Sequence, residues 1–186
     1  MESISNLTIR VTITQKDATA PMRSIINNLY DDGKWSASQQ TLDGDGNVLY
    51  ENLVYYNLTG GKNEYGAFGA DQYYLNNDIW TKQTNSSAYF DDTGFITLLT
   101  LVDYADFTFN AQLKAYENDS GYVTDTAHDG YTYAYTDAEV KFIDGKLASV
   151  RLTFNDENLG MNGEFLLEAS DYGTTTVTLP AVNESV

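Results

Sequence analysis

Carboxylates are the reactive side chains that this sequence places in groups. Four acids flank one apolar segment: Asp91, Asp92, Asp103 and Asp106. Two opposed carboxylates form the catalytic pair of most glycoside hydrolases. The first two acids also suit the start of a helix, where they accept backbone hydrogen bonds and oppose the helix dipole. Sequence spacing alone brings no two of them together in a cleft, so we expect helix capping and no enzyme.

A second acidic group, Asp43-x-Asp45-x-Asn47, has the spacing that begins an EF-hand calcium loop. Such a loop needs glycine at its sixth position and a bidentate glutamate at its twelfth. Those positions hold Val48 and Val54. The glycine and asparagine residues of the segment favour a tight turn, so we expect an acidic turn and no metal site.

The other residues that could take part in catalysis or metal binding do not occur in groups. The chain has no cysteine and one histidine, His128. Thiol nucleophiles, disulfides and zinc sites made of several Cys or His residues of one chain are therefore excluded. No G-x-S-x-G motif supplies an activated serine, and Gly60-Gly61-Lys62 lacks the spacing of a phosphate-binding loop. We expect no catalytic residue and no cofactor.

The charge balance narrows the classes of partner. The 186 residues include 10 Lys and Arg against 27 Asp and Glu, for a net charge of −17. Such a polyanion is repelled by nucleic acid and by anionic lipid surfaces. An aromatic content of 13% separates the chain from disordered acidic sequences. We expect one domain over residues 1–186, with a loose tail at residues 181–186.

Alternation of apolar and polar residues predicts a β-sheet. Residues 5–14 alternate regularly from Leu7 onward, as in a strand with one buried face. Asp144-Gly145 predicts a type I′ hairpin turn, and residues 22–30 fit a strand or a short helix. The other predicted strands are residues 35–41, 48–58, 65–68, 72–76, 79–83, 107–115, 131–142, 147–154, 165–169 and 174–179, with residues 118–130 as a polar loop. About ten strands in hairpins predict an antiparallel arrangement, and this number of strands is expected to form a strongly curved sheet, a barrel or a sandwich.

One helix is predicted, over residues 93–104, because four apolar residues recur there at the spacing of a single helix face. The concave face of a curved sheet is the natural partner for this face. The stripe either packs as core or lines an apolar cavity together with rings from the strands. The residues expected to line such a cavity are Phe95, Leu98, Leu99, Val102, Phe107, Phe109, Trp35 and Trp80.

Three segments carry a family resemblance. V-K-F-I-D-G-K-L-A-S-V-R-L-T-F precedes S-D-Y-G-T-T-T-V-T-L-P, and an earlier tyrosine-rich segment, Y-Y-L-N-N-D-I-W-T-K, contains Trp80. This order is similar to that of lipoproteins from Gram-positive gut bacteria that resemble the LolA/LppX-like lipoprotein carriers. The positions matching the family's ending are Asp171, Tyr172, Gly173, Val177, Leu179 and Pro180. The resemblance implies a strongly curved antiparallel sheet that forms an unclosed barrel, with helices over its concave side and an apolar cavity between. From this resemblance and the one helix predicted above, we expect an α+β or mainly β fold with one main helix on the concave face.

The resemblance also implies a location. The family usually begins with a lipobox cysteine and a helix before the first strand, and this sequence has neither there. We expect that a signal segment was removed and that the protein is extracellular or part of the cell envelope. Its attachment to a membrane is then only through an N-terminal lipid anchor.

These observations predict a binding function. We expect a non-enzymatic, exported, lipoprotein-like domain that binds a lipid or other apolar molecule in the sheet concavity. The alternative is a structural or interaction module of the cell envelope, with a filled core, an exposed tyrosine-rich face and no ligand cavity. Tyrosine rings on strands also suit stacking against sugar rings. A hydrolase is a third hypothesis.

Overall fold

Alternating burial along the strands divides the sheet into two faces. The computed structural model describes residues 6–16, 21–64, 67–88, 107–118, 122–126, 131–156 and 161–182. In the first strand Leu7 and Val11 are buried, whereas Arg10 is exposed. Residues paired across neighbouring strands share a face, so the register extends this assignment to the whole sheet. We call the side of Leu7 and Val11 the core face, and the other side the opposite face.

The described residues form twelve strands in one antiparallel sheet. They are β1 (Asn6–Gln15), β2 (Met22–Asp31), β3 (Lys34–Leu42), β4 (Val48–Lys62), β5 (Phe68–Asn76), β6 (Ile79–Ala88), β7 (Thr108–Asn110), β8 (Ala115–Asn118), β9 (Tyr122–Thr126), β10 (Tyr131–Ile143), β11 (Lys146–Asp156) and β12 (Met161–Ser170). The strand order is β6-β5-β4-β3-β2-β1-β12-β11-β10-β8-β7, and β9 pairs with β10 beside this path. The prediction of a mainly β, antiparallel sheet that is not closed into a barrel is confirmed.

The predicted helix over residues 93–104 lies outside the described residues, and among those that are described no segment is helical. Several singled-out side chains lie outside them too: Asp91, Asp92, Phe95, Leu98, Leu99, Val102, Asp103, Asp106 and His128. Within the described ranges, no helix has the length and hydropathy needed to cross a bilayer.

Both hydrophobic clusters of the described chain lie on the core face. The first spans β1, β12, β11 and β10 and consists of Val11, Ala138, Val140, Val150, Leu152, Phe165 and Leu167. The second spans β1 to β6 and consists of Leu7, Tyr30, Trp35, Val54, Tyr56, Ala70 and Ala88. The register places each of these residues on the same side of the sheet. The period-2 pattern of the sequence therefore reports a single continuous apolar face.

The prediction of one strand over residues 107–115 is wrong. The segment forms β7, a turn and β8, and these two strands pair with each other. The side chain of Asn110 causes the reversal, because its Oδ1 accepts hydrogen bonds from the backbone N–H groups of Gln112 (3.0 Å) and Leu113 (3.2 Å). Lys114 then takes a positive φ of 52°. An asparagine that bonds to the backbone two and three residues later forms a turn despite the apolar alternation around it.

The prediction of a strand over residues 174–179 is also wrong. Both edges of β12 are already occupied, by β1 and by β11, so the segment has no edge of that strand to join. The side chains of Asn6, the first residue of β1, and Asp31, the last residue of β2, hold the segment instead. Asn6 and Thr175 exchange two hydrogen bonds, of 2.8 and 2.9 Å, and the N–H of Val177 donates to Asp31 Oδ2 at 2.9 Å. These bonds satisfy backbone groups that a strand pairing would otherwise satisfy.

Three smaller differences concern where strands begin and end. Gly69-Ala70-Asp71, which separates the predicted strands at residues 65–68 and 72–76, runs within β5, and a register shift after Ala70 accommodates the irregular sequence. The predicted polar loop over residues 118–130 contains β9, which pairs with β10. The ambiguous segment at residues 22–30 is strand β2.

The Asp144-Gly145 hairpin is confirmed, with both residues at positive φ (50° and 74°), as a type I′ turn requires.

Candidate ligand cavity

A cavity of about 230 Å³ opens over four neighbouring strands, β2 to β5. It is lined by Asn28, Trp35, Ala37, Ser38, Gln39, Asn52, Val54, Tyr56, Gln72 and Tyr74. All of these except Ser38 lie on the core face by register. None of these ten described lining residues is Asp, Glu, Lys or Arg, although the chain as a whole has a net charge of −17.

The floor of the cavity consists of two short side chains. Ala37 and Val54 face each other across β3 and β4, and the same row continues to Asn28 on β2 and to Tyr74 on β5. Side chains on one face of a strand recur roughly every 7 Å. The short floor therefore lies well below any longer side chains in the two flanking rows.

The flanking rows supply those longer side chains. One row contains the pair Trp35 and Tyr56, followed by Gln72 on β5. The other row contains the pair Gln39 and Asn52, both exposed. A short floor between two rows of long side chains leaves the hollow, so the cavity follows from residue sizes on paired strands.

The aromatic wall is held rigidly. Trp35 stacks between Tyr30 and Tyr56, with ring centroids 5.8 and 4.7 Å away and interplanar angles of 14° and 22°. The indole Nε1 of Trp35 donates a 3.2 Å hydrogen bond to Asn28 Oδ1. All four residues are buried. Stacked neighbours and a hydrogen bond fix the orientation of the indole, so this wall of the cavity is preformed.

The expected lining residues of the strands do not come together. Trp35 lines the cavity, but Trp80 pairs with Leu75 on the opposite face and lies edge-on against Tyr55 at 5.3 Å. Phe107 is half-buried and packs against the first hydrophobic cluster. Phe109 is 58% exposed. Of the four strand residues named from the sequence, only Trp35 lies at the cavity.

The acidic turn between β3 and β4 is closed by its own hydrogen bonds. Asp43 Oδ1 accepts from the N–H groups of Asp45 (3.0 Å) and Asn47 (2.8 Å), and Oδ2 accepts from Asn47 Nδ2 (2.9 Å). Gly46 has a φ of +88°. The side-chain amide of Asn47, and then its backbone N–H, lower the pKa of Asp43 below 3.8. The carboxylate is thus used in forming the turn.

Replacing Asp43 with alanine is expected to lower the urea midpoint of unfolding at neutral pH, because three hydrogen bonds are lost. The folded pKa of Asp43 is lowered, so its contribution to stability is present above pH 3.8 and disappears as the pH falls through the folded value. The difference between wild type and Asp43→Ala should therefore shrink in acid. Asp45→Ala is the control, since alanine keeps the backbone N–H that Asp45 donates. A midpoint difference that stays constant into strong acid would contradict this account.

Charged residues of the opposite face pair across strands. Arg151 on β11 lies 3.7 Å from Asp137, 3.8 Å from Glu139 and 4.0 Å from Glu164. Within β10 itself, Lys141 lies 3.0 Å from Glu139. Cross-strand pairs of opposite charge stabilise a sheet modestly. No group of three or more His, Cys, Asp or Glu residues within the described ranges has a geometry that would hold a metal ion.

Sequence reasoning missed the carboxamides of the cavity: Asn28, Gln39, Asn52 and Gln72. One signal was available. Gln39 lies four residues after Trp35, and Asn52 lies four residues before Tyr56, so each shares a face with its aromatic residue. Pairing these two strands across the Asp43–Asn47 turn would have placed the four side chains together. The sequence of residues 22–30 fits either a strand or a short helix. No buried face is therefore predicted there, and no pattern points to Asn28.

Comparison with protein-family models, with curated proteins and with solved structures found no match to this chain.

Proposed function

We propose that this chain is an exported, non-enzymatic domain of the bacterial cell envelope that holds an apolar molecule against the core face of its sheet. The observation that carries the proposal is the cavity over Ala37 and Val54, which opens on the same face as both hydrophobic clusters. Each methylene group that a ligand buries there contributes about 0.8 kcal/mol. The envelope setting follows from the resemblance of the C-terminal third to Gram-positive lipoproteins.

A series of neutral alkyl probes of increasing chain length tests this proposal by isothermal titration calorimetry. Two added methylene groups should raise the affinity of the wild type roughly tenfold until the cavity is full. Ala37→Leu should abolish this dependence, because the larger side chain fills the cavity floor. Gln40→Leu, on the opposite face of the same strand, is the matched control. Affinities that do not depend on chain length in the wild type, or that fall equally in both variants, would contradict the proposal.

An exposed ring cluster favours a second candidate, an interaction module of the envelope. Phe109 lies 5.3 Å from Tyr116, and Tyr116 lies 6.2 Å from Phe142, measured between ring centroids. Their exposed fractions are 58%, 44% and 50%, and exposed aromatic clusters often mark interaction surfaces. Under this candidate the chain takes up no alkyl probe. It is retained on isolated cell-wall material, and a Phe109→Ser, Phe142→Ser variant is not.

A further inference from the structure

The cavity lining contains more hydrogen-bonding groups than an alkyl chain can use. Four carboxamides line it, on four different strands: Asn28, Gln39, Asn52 and Gln72. An alkyl chain laid against a carboxamide removes water from it and offers no hydrogen bond in return, which is unfavourable. We infer that the cavity receives a neutral sugar ring, either of a free saccharide or of a glycolipid headgroup. This inference rests on the proposed function for the position of the ligand and names the chemistry of its polar part: the sugar ring lies against the carboxamides, and the apolar part of the ligand continues along the core face.

Carboxamides match sugar hydroxyls in both directions. A carboxamide donates through its NH2 group and accepts through its oxygen, and a hydroxyl also does both. Because Asn28 Oδ1 already accepts from the indole of Trp35, the group that Asn28 offers to a ligand is its NH2. Gln39 and Asn52 face each other across β3 and β4, so two amides can bond to adjacent hydroxyls of one ring.

The rest of the lining suits the apolar side of a sugar. Tyr74 and Tyr56 present aromatic rings on the core face, and C–H groups of a sugar ring pack favourably against such surfaces. The lining carries no charged side chain to neutralise a phosphate, a carboxylate or an ammonium group. The cavity is also smaller than the roughly 300–1,000 Å³ typical of drug-sized ligands. A single neutral ring fits these three constraints together.

Three probes distinguish the sugar from the chain that carries it. Octyl glucoside has both parts, octyl tetraethylene glycol ether has the chain without the sugar, and methyl glucoside has the sugar without the chain. Affinities are measured by calorimetry below the concentrations at which the detergents form micelles. The test variant is Gln39→Leu with Asn52→Leu, both at exposed strand positions, and the control is Gln40→Leu.

The inference expects octyl glucoside to bind roughly tenfold more tightly than the ether. The double variant should lose this roughly tenfold advantage, since two net hydrogen bonds are removed, and should bind the ether at least as tightly as the wild type does. Measurable binding of methyl glucoside identifies a free saccharide as the ligand source. Binding of octyl glucoside without measurable binding of methyl glucoside identifies a glycolipid headgroup.

Other results separate the two proposals. Equal affinity for the two octyl probes, with no selective effect of the double variant, overturns the sugar inference and leaves the proposed function standing. Binding of methyl glucoside with no gain from the octyl chain overturns the apolar ligand and retains the sugar. If none of the three probes binds, both proposals are overturned.

Discussion

Replacing Leu167 with alanine should lower the free energy of unfolding by about 2–5 kcal/mol, the usual range for a truncated leucine in a filled core. Leu167 is 1% exposed and lies on β12, paired with Val11 of β1 and Val150 of β11. Its removal leaves a void between three strands that cannot approach one another without breaking their pairing. Urea denaturation monitored by circular dichroism measures the loss.

Leu166 provides a matched control for this prediction. It is the same residue type on the same strand, but it faces the opposite side of the sheet and is only half-buried. Leu166→Ala should therefore cost clearly less than Leu167→Ala. Equal losses in the two variants would contradict the assignment of the core face.

Replacing Gly163 with alanine is the second large effect, a loss of about 1–3 kcal/mol or more from overpacking. A Cβ at this position would collide with the backbone carbonyl oxygen of Thr14 and lie 2.6 Å from Phe154 Cζ. The carbonyl belongs to β1, which pairs with β12 at this point, so it cannot retreat without disturbing the register. Glycine is needed here for close approach, because the Phe154 ring packs directly over the backbone of β12.

Gly61→Ala is the control for the Gly163 variant, because nothing lies within 4 Å of a Cβ built at Gly61. Its effect should stay within about 0.5 kcal/mol, as for most exposed substitutions. Urea midpoints of both variants and the wild type give the comparison. A Gly163→Ala protein as stable as Gly61→Ala would show that Phe154 does not pack against β12 as described.

The sequence predicts the strands well where one face is buried throughout. The pattern over residues 5–14 is a good predictor because its apolar members, Leu7, Ile9, Val11 and Ile13, all lie on the core face, and β1 follows the pattern closely. Asp144-Gly145 gave its hairpin because type I′ geometry demands residues that accept positive φ. In both cases the local sequence pattern and the tertiary environment favour the same conformation. Where these two agree, the conformation can be predicted from the sequence.

Prediction failed where partners distant in sequence decide the conformation. Residues 174–179 alternate like a strand, yet Asn6 and Asp31, more than 140 positions away, hold them outside the sheet. Alternation of apolar and polar residues indicates the periodicity of a strand, but it does not show whether another strand has an edge that is free to pair. The prediction of one strand over residues 107–115 failed for a local reason, because the hydrogen bonds of the Asn110 side chain outweigh the alternation around it.

The cavity could be predicted only in part, for a related reason. The sequence singled out Trp35, but grouped it with Trp80, which the register places on the other side of the sheet. The carboxamides around the floor are ordinary strand residues until pairing brings Gln39 opposite Asn52. The register of four strands brings the cavity residues together, so no single segment of the sequence predicts the cavity.

The two tryptophans give the most direct test of the central claim, that a ligand binds on the core face over β3 and β4. Trp80→Phe leaves Trp35 at the cavity, and Trp35→Phe leaves Trp80 on the opposite face as the only indole. A neutral alkyl ester bearing a nitroxide should quench the fluorescence of the first variant to saturation and leave the second unchanged, with both shown to be folded by circular dichroism. Equal quenching of both variants, or quenching of Trp80 alone, would contradict binding on the core face.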